Sequence, residues 1–173
     1  MQSISPEIIF RGSYAWEESL PQVTKLTKRP LVLGRGIHTN SLRNKIIIDL
    51  KNQNLSVNSA NLQFDCCYED ISRIKHIILN NNNDSVIAAG GGKVLDSGKY
   101  IAESLNIPSI TVPFSASTCA GWTALSNIYT KDGQFIKDVQ LGACPKILVY
   151  DHKFIQTAPS RTLASGIADA LAK

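Results

Sequence analysis

Three consecutive glycines, Gly90-Gly91-Gly92, follow an apolar run at residues 85–89 and precede a helical pattern at residues 92–105. The apolar run is short enough to be a buried strand, so the glycines fall at a strand-to-helix turn. At such a turn, backbone N–H groups and a helix N-terminus can meet a phosphate with no Cβ in the way. Lys93 follows directly and no Ser or Thr comes next, so the spacing is not that of a Walker A loop. The G-x-G-x-x-G fingerprint is absent as well. The residues themselves leave two readings open, a diphosphate cradle and a tight structural turn.

Strands and helices alternate around this turn. Apolar runs predict strands at residues 7–11, 30–33, 62–68, 85–89, 109–112 and 146–150. Helical spacing marks residues 14–26, 39–50, 70–79 and 92–105, with Pro21 expected to break or kink the first and Asp70 placed as an N-cap of the third. Residues 51–60 are polar and read as a loop. Lys131-Asp132-Gly133 signals a turn that pairs residues 123–129 and 135–141 as an antiparallel hairpin. Pro159 suits the first turn of a final helix over residues 159–173. Strands joined through helices need crossover connections. The predicted fold is therefore α/β, a mostly parallel sheet flanked by helices with a small hairpin. The glycine turn, the loop at 113–118 and the segment at 150–153 all follow strands. They belong on one edge of the sheet, where ligands bind.

Bulk properties narrow the function. The chain has 173 residues, 43% hydrophobic and 18% charged, which suits one ordinary domain with a real core. The net charge of +4 is scattered, with no dense basic run interleaved with aromatics. That disfavours nucleic acid and suits a phosphorylated small molecule. Cys66, Cys67, Cys119 and Cys144 have neither zinc-knuckle nor CxxC spacing, and Cys66 and Cys67 would face opposite sides of a strand. With no leader and no apolar run near ~18 residues, the expected setting is cytoplasmic, with no membrane contact. His38, His76 and His152 show no metal-ligand spacing.

A few side chains carry possible chemistry. Asp96 and Lys99 stand one turn apart, either as a surface ion pair or with Asp96 turned toward a ligand. The loop Pro113-Phe114-Ser115-Ala116-Ser117-Thr118-Cys119 offers hydroxyls that can bond a ribose or pyrophosphate, or cap the loop itself. Asp169 sits among small apolar residues, either facing outward or acting as a ligand. Cys119 has no His or Asp near it in sequence and reads as a wall residue rather than a nucleophile.

The runs Gly-Gly-Gly-Lys-x-x-Asp-x-x-Lys, Pro-x-x-Ala-Ser-Thr, Ala-Leu-Ser-x-Ile-Tyr and Ser-Gly-Ile-Ala-Asp-Ala-Leu-Ala closely resemble the glycerol dehydrogenases among the iron-containing (group III) alcohol dehydrogenases. The resemblance covers roughly residues 5–173. It implies a Rossmann-like nucleotide-binding domain, residues 1–158, and the start of an all-helical metal-binding domain at 159–173. It implies that Gly91, Gly92, Lys93, Val94, Leu95 and Asp96 contact a nicotinamide dinucleotide, chiefly its pyrophosphate. Ser117, Thr118, Thr123, Leu125 and Tyr129 match positions lining the rest of the groove. Asp169 matches a ligand to a divalent metal, zinc or iron, which in the family polarises the oxygen of a small alcohol or polyol. No catalytic side chain independent of the metal is assigned.

Three departures from the family pattern stand out. Cys119 occupies a substrate-facing position that the family fills with aspartate, and a thiol is a poor acceptor. Gly34-Arg35-Gly36 stands where NAD-preferring relatives commonly place an acid, so Gly34 and Arg35 tilt the expectation from NAD toward NADP. As part of this second departure, Phe114 also replaces a usual Thr in the cofactor loop. Third, the chain stops four residues past Asp169, so the family's helical domain is absent from it and the polypeptide alone is expected to be inactive or nearly so. The apolar face of Leu163, Ile167 and Leu171 then loses its partner, which favours self-association as a homo-oligomer. The competing functions are a non-catalytic nucleotide-binding module and a lyase of the dehydroquinate synthase type.

Overall fold

The computed structural model describes residues 5–172. In chain order the elements are β1 (Ile8–Gly12), α1 (Ala15–Leu26), β2 (Pro30–Arg35), α2 (Asn40–Asn52), β3 (Asn58–Leu62), α3 (Tyr68–Asn80), β4 (Ser85–Gly90), α4 (Gly92–Ser104), β5 (Ser109–Pro113), β6 (Leu125–Tyr129), β7 (Phe135–Gln140), β8 (Ile147–Asp151), α5 (His152–Gln156) and α6 (Ser160–Leu171). Six strands form a parallel sheet in the order β1-β8-β5-β4-β2-β3, and β6 and β7 form a separate antiparallel pair. This is the expected α/β architecture.

The central strands are apolar on both faces because helices cover both. β4 is buried along its whole length, and β2 along all but its last residue. One layer packs Trp16 and Val23 of α1, Ile46 and Leu50 of α2 and Phe154 of α5 against Val32, Ile87, Ile110 and Val149. The other packs Ile71, Ile74 and Ile78 of α3 and Leu95 and Ile101 of α4 against Leu31, Leu33, Val86 and Ala88. Adjacent strand residues thus feed opposite layers, as a pleated backbone requires.

Several boundaries differ from the sequence reading. The third strand occupies Asn58–Leu62 rather than residues 62–68, and takes the end of the expected polar loop. It lies at the sheet edge, where backbone pairing from Leu31↔Asn58 to Arg35↔Leu62 holds it and apolar side chains are not required. The next residues leave the sheet because the Asp70 carboxylate accepts from the Gln63 and Phe64 N–H groups at 2.8 and 2.7 Å. Asp70 is therefore inside the first turn of α3, whose N-cap is Cys67. Cys66 and Cys67 lie on no strand, and both are buried. Burial pushes the Cys66 thiol up to about 12, which makes it inert.

Pro21 does not break α1, which continues to Leu26. The sixth strand begins at Leu125, two residues later than expected. The short helix α5 was not apparent in the sequence. Asp151, 1% exposed, caps it by accepting from Lys153 N–H at 2.8 Å and Phe154 N–H at 3.3 Å, while its other oxygen takes Trp16 N–H at 3.0 Å. One carboxylate therefore ties the starts of α1 and α5 to the end of β8. Pro159 is the N-cap of α6 rather than part of its first turn. Residue 173, the end of the expected final helix, lies outside the described residues, as do residues 1–4, which include most of the start read for a leader. Among the described residues, no helix is long and apolar enough to cross a membrane.

Candidate functional site

β2 and β4 are neighbours in the sheet, but the helices that follow them leave toward opposite faces: α2 joins the Trp16 layer and α4 the Leu31 layer. The two departing loops diverge, and such a reversal leaves a crevice at the carboxyl edge. A cavity of about 300 Å³ occupies that place, lined by Arg35, Thr39 and residues 90–94. A second cavity, of about 500 Å³, is bordered by Pro108, Ser109 and Lys146, which lie at strand starts. It is on the other edge of the sheet and takes no part in the site.

None of the three glycines has a positive φ, so the turn does not need glycine for its backbone angles. Space is what it needs. A Cβ on Gly90 would press on Val94 at 3.0 Å, and one on Gly92 would reach Thr118 Oγ1 at 3.0 Å. A Cβ on Gly91 would meet nothing within 4 Å, because that side opens to the cavity. Gly91 is also the N-cap of α4, with no side chain capping it. Val94 and Leu95 N–H both turn back to Gly91 O, at 3.0 and 3.1 Å. The earlier N–H groups of the helix have no partner within it, as at any helix start. Bare main chain, free donors and a positive dipole end converge on one opening, which is what a phosphate group requires.

Gly98 permits this helix to lie close to the sheet. A Cβ there would collide with that of Ala88 on β4. Lys93 extends over the Tyr129 ring, 4.6 Å from its centroid, and pairs with Asp65. Asp65 pairs on its other oxygen with Arg35, the last residue of β2. Its side chain is 7% exposed, against 42% for Arg35 and 38% for Lys93. Arg35, which the sequence reading set to pair with a 2′-phosphate, is therefore engaged by an acid here. Gly34 serves a different neighbour: a Cβ there would collide with the side chain of Arg43, which is buried on α2. The Arg43 guanidinium donates to the Arg35 and Gly36 carbonyls at 3.2 and 2.6 Å, and burial pulls its pKa down.

The loop after β5 adjoins the glycine turn, with Phe114 N–H donating to Gly90 O at 3.0 Å. Its hydroxyls largely satisfy one another: Ser115 and Ser117 share a 2.7 Å bond, and Thr118 Oγ1 accepts from Ala120 N–H at 3.1 Å. Cys119 is exposed at the end of that loop. Phe114 is buried edge-on against Phe154, with centroids 5.6 Å apart.

Asp96 and Lys99 form a buried pair at 3.1 Å, not a surface one. Lys99 Nζ also donates to Thr123 O at 3.0 Å and to Leu125 O, so it anchors Thr123 and the start of β6, which carries Leu125 and Tyr129, onto α4. Burial pushes the pKa of Asp96 up and that of Lys99 down, each opposed by the other's charge. Val94 and Leu95 are buried between α4 and the sheet. Asp169 lies exposed on α6. Among the described residues, no group of three or more His, Cys, Asp or Glu is placed to hold a metal. α6 rests on the hydroxyl loop through Gly166, where a Cβ would stand 2.5 Å from Ala116 O.

The structure thus gathers Arg35, Gly91, Gly92, Lys93, Thr118 and Tyr129 around one crevice. Asp96, Thr123 and Leu125 form the layer that supports it. Sequence reasoning missed Asp65, Arg43, Gly98 and Gly166, whose roles depend on neighbours distant in the chain. Gly98 and Gly166 did carry a signal, since a glycine inside a helical pattern marks a close approach.

The chain is similar to known proteins along nearly its whole length. Over 172 residues the chain is 37% identical to an uncharacterised oxidoreductase of Synechocystis sp., covering 99% of this chain and 44% of that protein. It is 36% identical to glycerol dehydrogenase 1 of Schizosaccharomyces pombe, covering 96% of this chain and 37% of that one. The crystal structure of the S. pombe glycerol dehydrogenase superposes with a TM-score of 0.85 at 33% identity, over 98% of this chain and 43% of that one. A probable glycerol dehydrogenase from Sinorhizobium meliloti gives a TM-score of 0.87 at 26% identity, over 99% and 46%. The chain therefore spans less than half the length of these relatives. Residues 6–152 match the iron-containing alcohol dehydrogenase family along most of the chain, and the chain belongs to that family.

Proposed function

We propose that this chain is the coenzyme-binding half of a metal-dependent, NAD(P)-linked dehydrogenase acting on a small alcohol or polyol. The observation that carries the reading is the bare Gly91 face, open to the crevice at the start of α4. Pyrophosphate oxygens would accept from the backbone at Gly91, Gly92 and Lys93, with the Lys93 ammonium beside them. Val94, Leu95 and Asp96 hold the helix start in place. Ser117 and Thr118 bring hydroxyls to one side, and Tyr129 builds the opposite wall, held in place through Thr123 and Leu125. The dinucleotide's nicotinamide supplies the hydride chemistry.

The Arg35–Asp65 pair weighs against the NADP expectation, because the cation meant for a 2′-phosphate already has a carboxylate partner. The reading therefore moves to NAD. Residues 1–158 form the nucleotide-binding unit, and α6 opens a metal-binding domain to which Asp169 gives one ligand. One carboxylate falls short of the roughly three protein ligands a catalytic zinc takes. The chain alone is therefore expected to bind coenzyme without turning over alcohol. Cys119 faces the substrate, so an alcohol needing a strong acceptor there is disfavoured. The exposed Leu163, Ile167 and Leu171 face supports self-association. None of the four cysteines forms a disulfide, which suits a cytoplasmic setting.

Titrating the chain with NADH and following nucleotide emission tests this reading. Gly91→Val places a side chain in the opening and is expected to weaken binding by about tenfold or more, with melting temperature nearly unchanged. Equal affinity in the variant would remove the glycine turn from the site.

A further inference from the structure

The end of β2 carries no acid, yet the fold delivers one from elsewhere. Asp65 comes from the connection between β3 and α3, and its two oxygens engage cations on either side of the crevice: Arg35 from β2 and Lys93 from α4. The carboxylate is nine-tenths buried, while both cations remain partly open to solvent. It also lies close to the hairpin turn, since a Cβ on Gly133 would come within 3.4 Å of its Oδ2. Arg35, Lys93 and Gly133 leave Asp65 little freedom to withdraw.

We propose that Asp65 is the specificity-determining residue that sets which dinucleotide the crevice accepts. This rests on the reading of the crevice as a dinucleotide site. With pyrophosphate at the start of α4, one ribose falls toward the end of β2, where Arg35 and Thr39 line the cavity. A 2′-phosphate there would have to draw Arg35 away from Asp65 and then sit beside the carboxylate left behind. Like charges held that close oppose binding strongly. A 2′-hydroxyl meets no such conflict, because a carboxylate accepts its proton as a hydrogen bond. Asp65 thereby supplies, from another loop, the acid that Gly34-Arg35-Gly36 lacks. It also holds Lys93 over the Tyr129 ring at the start of α4.

Paired NADH and NADPH titrations of the natural chain, Asp65→Asn, Asp65→Glu and the double variant Asp65→Asn/Arg35→Ala test the assignment. The natural chain is expected to prefer NADH. Asp65→Asn keeps the shape but frees Arg35, and should raise the NADPH-to-NADH affinity ratio by about tenfold or more. Asp65→Glu restores the charge and should return the ratio toward that of the natural chain. Adding Arg35→Ala to Asp65→Asn should cancel the gain. A merely structural Asp65 would alter melting temperature and both affinities together, leaving the ratio fixed, and that result overturns the proposal. Should Asp65→Asn fail to fold, the Asp65→Glu ratio and an Arg35→Ala variant decide. With Arg35 engaged, its removal should leave NADPH binding within about threefold, and a larger loss overturns the proposal. A natural chain that binds neither coenzyme, though folded, refutes the dinucleotide reading itself.

Discussion

The Lys99 ammonium lies 3.1 Å from the Asp96 carboxylate, one helical turn away, and neither is more than 10% exposed. Lys99 spends its remaining donors on the Thr123 and Leu125 carbonyls. The pair therefore joins a helix to a hairpin as well as one charge to another. Lys99→Met removes the charge partner of a buried carboxylate and the donor to two carbonyls, and should cost about 3–5 kcal/mol in urea unfolding. The Asp96→Asn/Lys99→Met double variant should recover part of that loss. Additive losses would show the two charges to be independent.

Gly91 and Gly98 are expected to separate binding from folding. Gly98→Ala forces a methyl into Ala88 and should destabilise by about 1–3 kcal/mol. Gly91→Ala meets no neighbour and should cost under about 1 kcal/mol, while coenzyme affinity falls. Thermal melts with NADH titrations on both variants check this. A Gly91→Ala chain that melts as low as Gly98→Ala would show the turn to be structural.

What the sequence made legible was local. The glycine turn, the helix after it and five of the six parallel strands could be read from periodicity and turn chemistry. β3 could not, because its residues Asn58, Ser59 and Asn61 are held by backbone pairing at an edge and show no apolar pattern. The acid facing Arg35 was hidden for a related reason. Asp65 lies thirty residues away, and only the packing of the β3–α3 connection brings the two together. Likewise, the Asp96–Lys99 spacing was plain, but its burial depends on the hairpin folding over α4.

Asp84 should make stability depend on acid pH. Burial alone would push its pKa up, but donation from Thr27 Oγ, Lys28 N–H and Arg29 N–H, with the Arg29 charge, holds it below the usual carboxylate value. The folded state therefore binds this proton less readily than the unfolded chain. The stabilisation is complete above the unfolded pKa of about 4, and disappears as pH falls through the lower folded value. Asp84→Asn should cost about 2 kcal/mol at pH 7 and progressively less below about pH 4. Urea unfolding of both chains from pH 7 to pH 3 measures the gap. A gap that stays constant with pH contradicts the assignment.

Asp151→Ala should loosen two helix starts at once, since Trp16, Lys153 and Phe154 N–H all lose their acceptor. About 2 kcal/mol of destabilisation is expected. Amide exchange should quicken at all three positions. Acceleration confined to α5 would show that α1 holds its place without the carboxylate.

The crevice owes its existence to the route of the backbone: two neighbouring strands send their helices to opposite sides. A slot made by topology survives almost any exchange of side chains, provided the glycines keep it open. Lineages sharing this fold can thus rewrite their loops, and with them the molecules they handle, while inheriting the same place to dock.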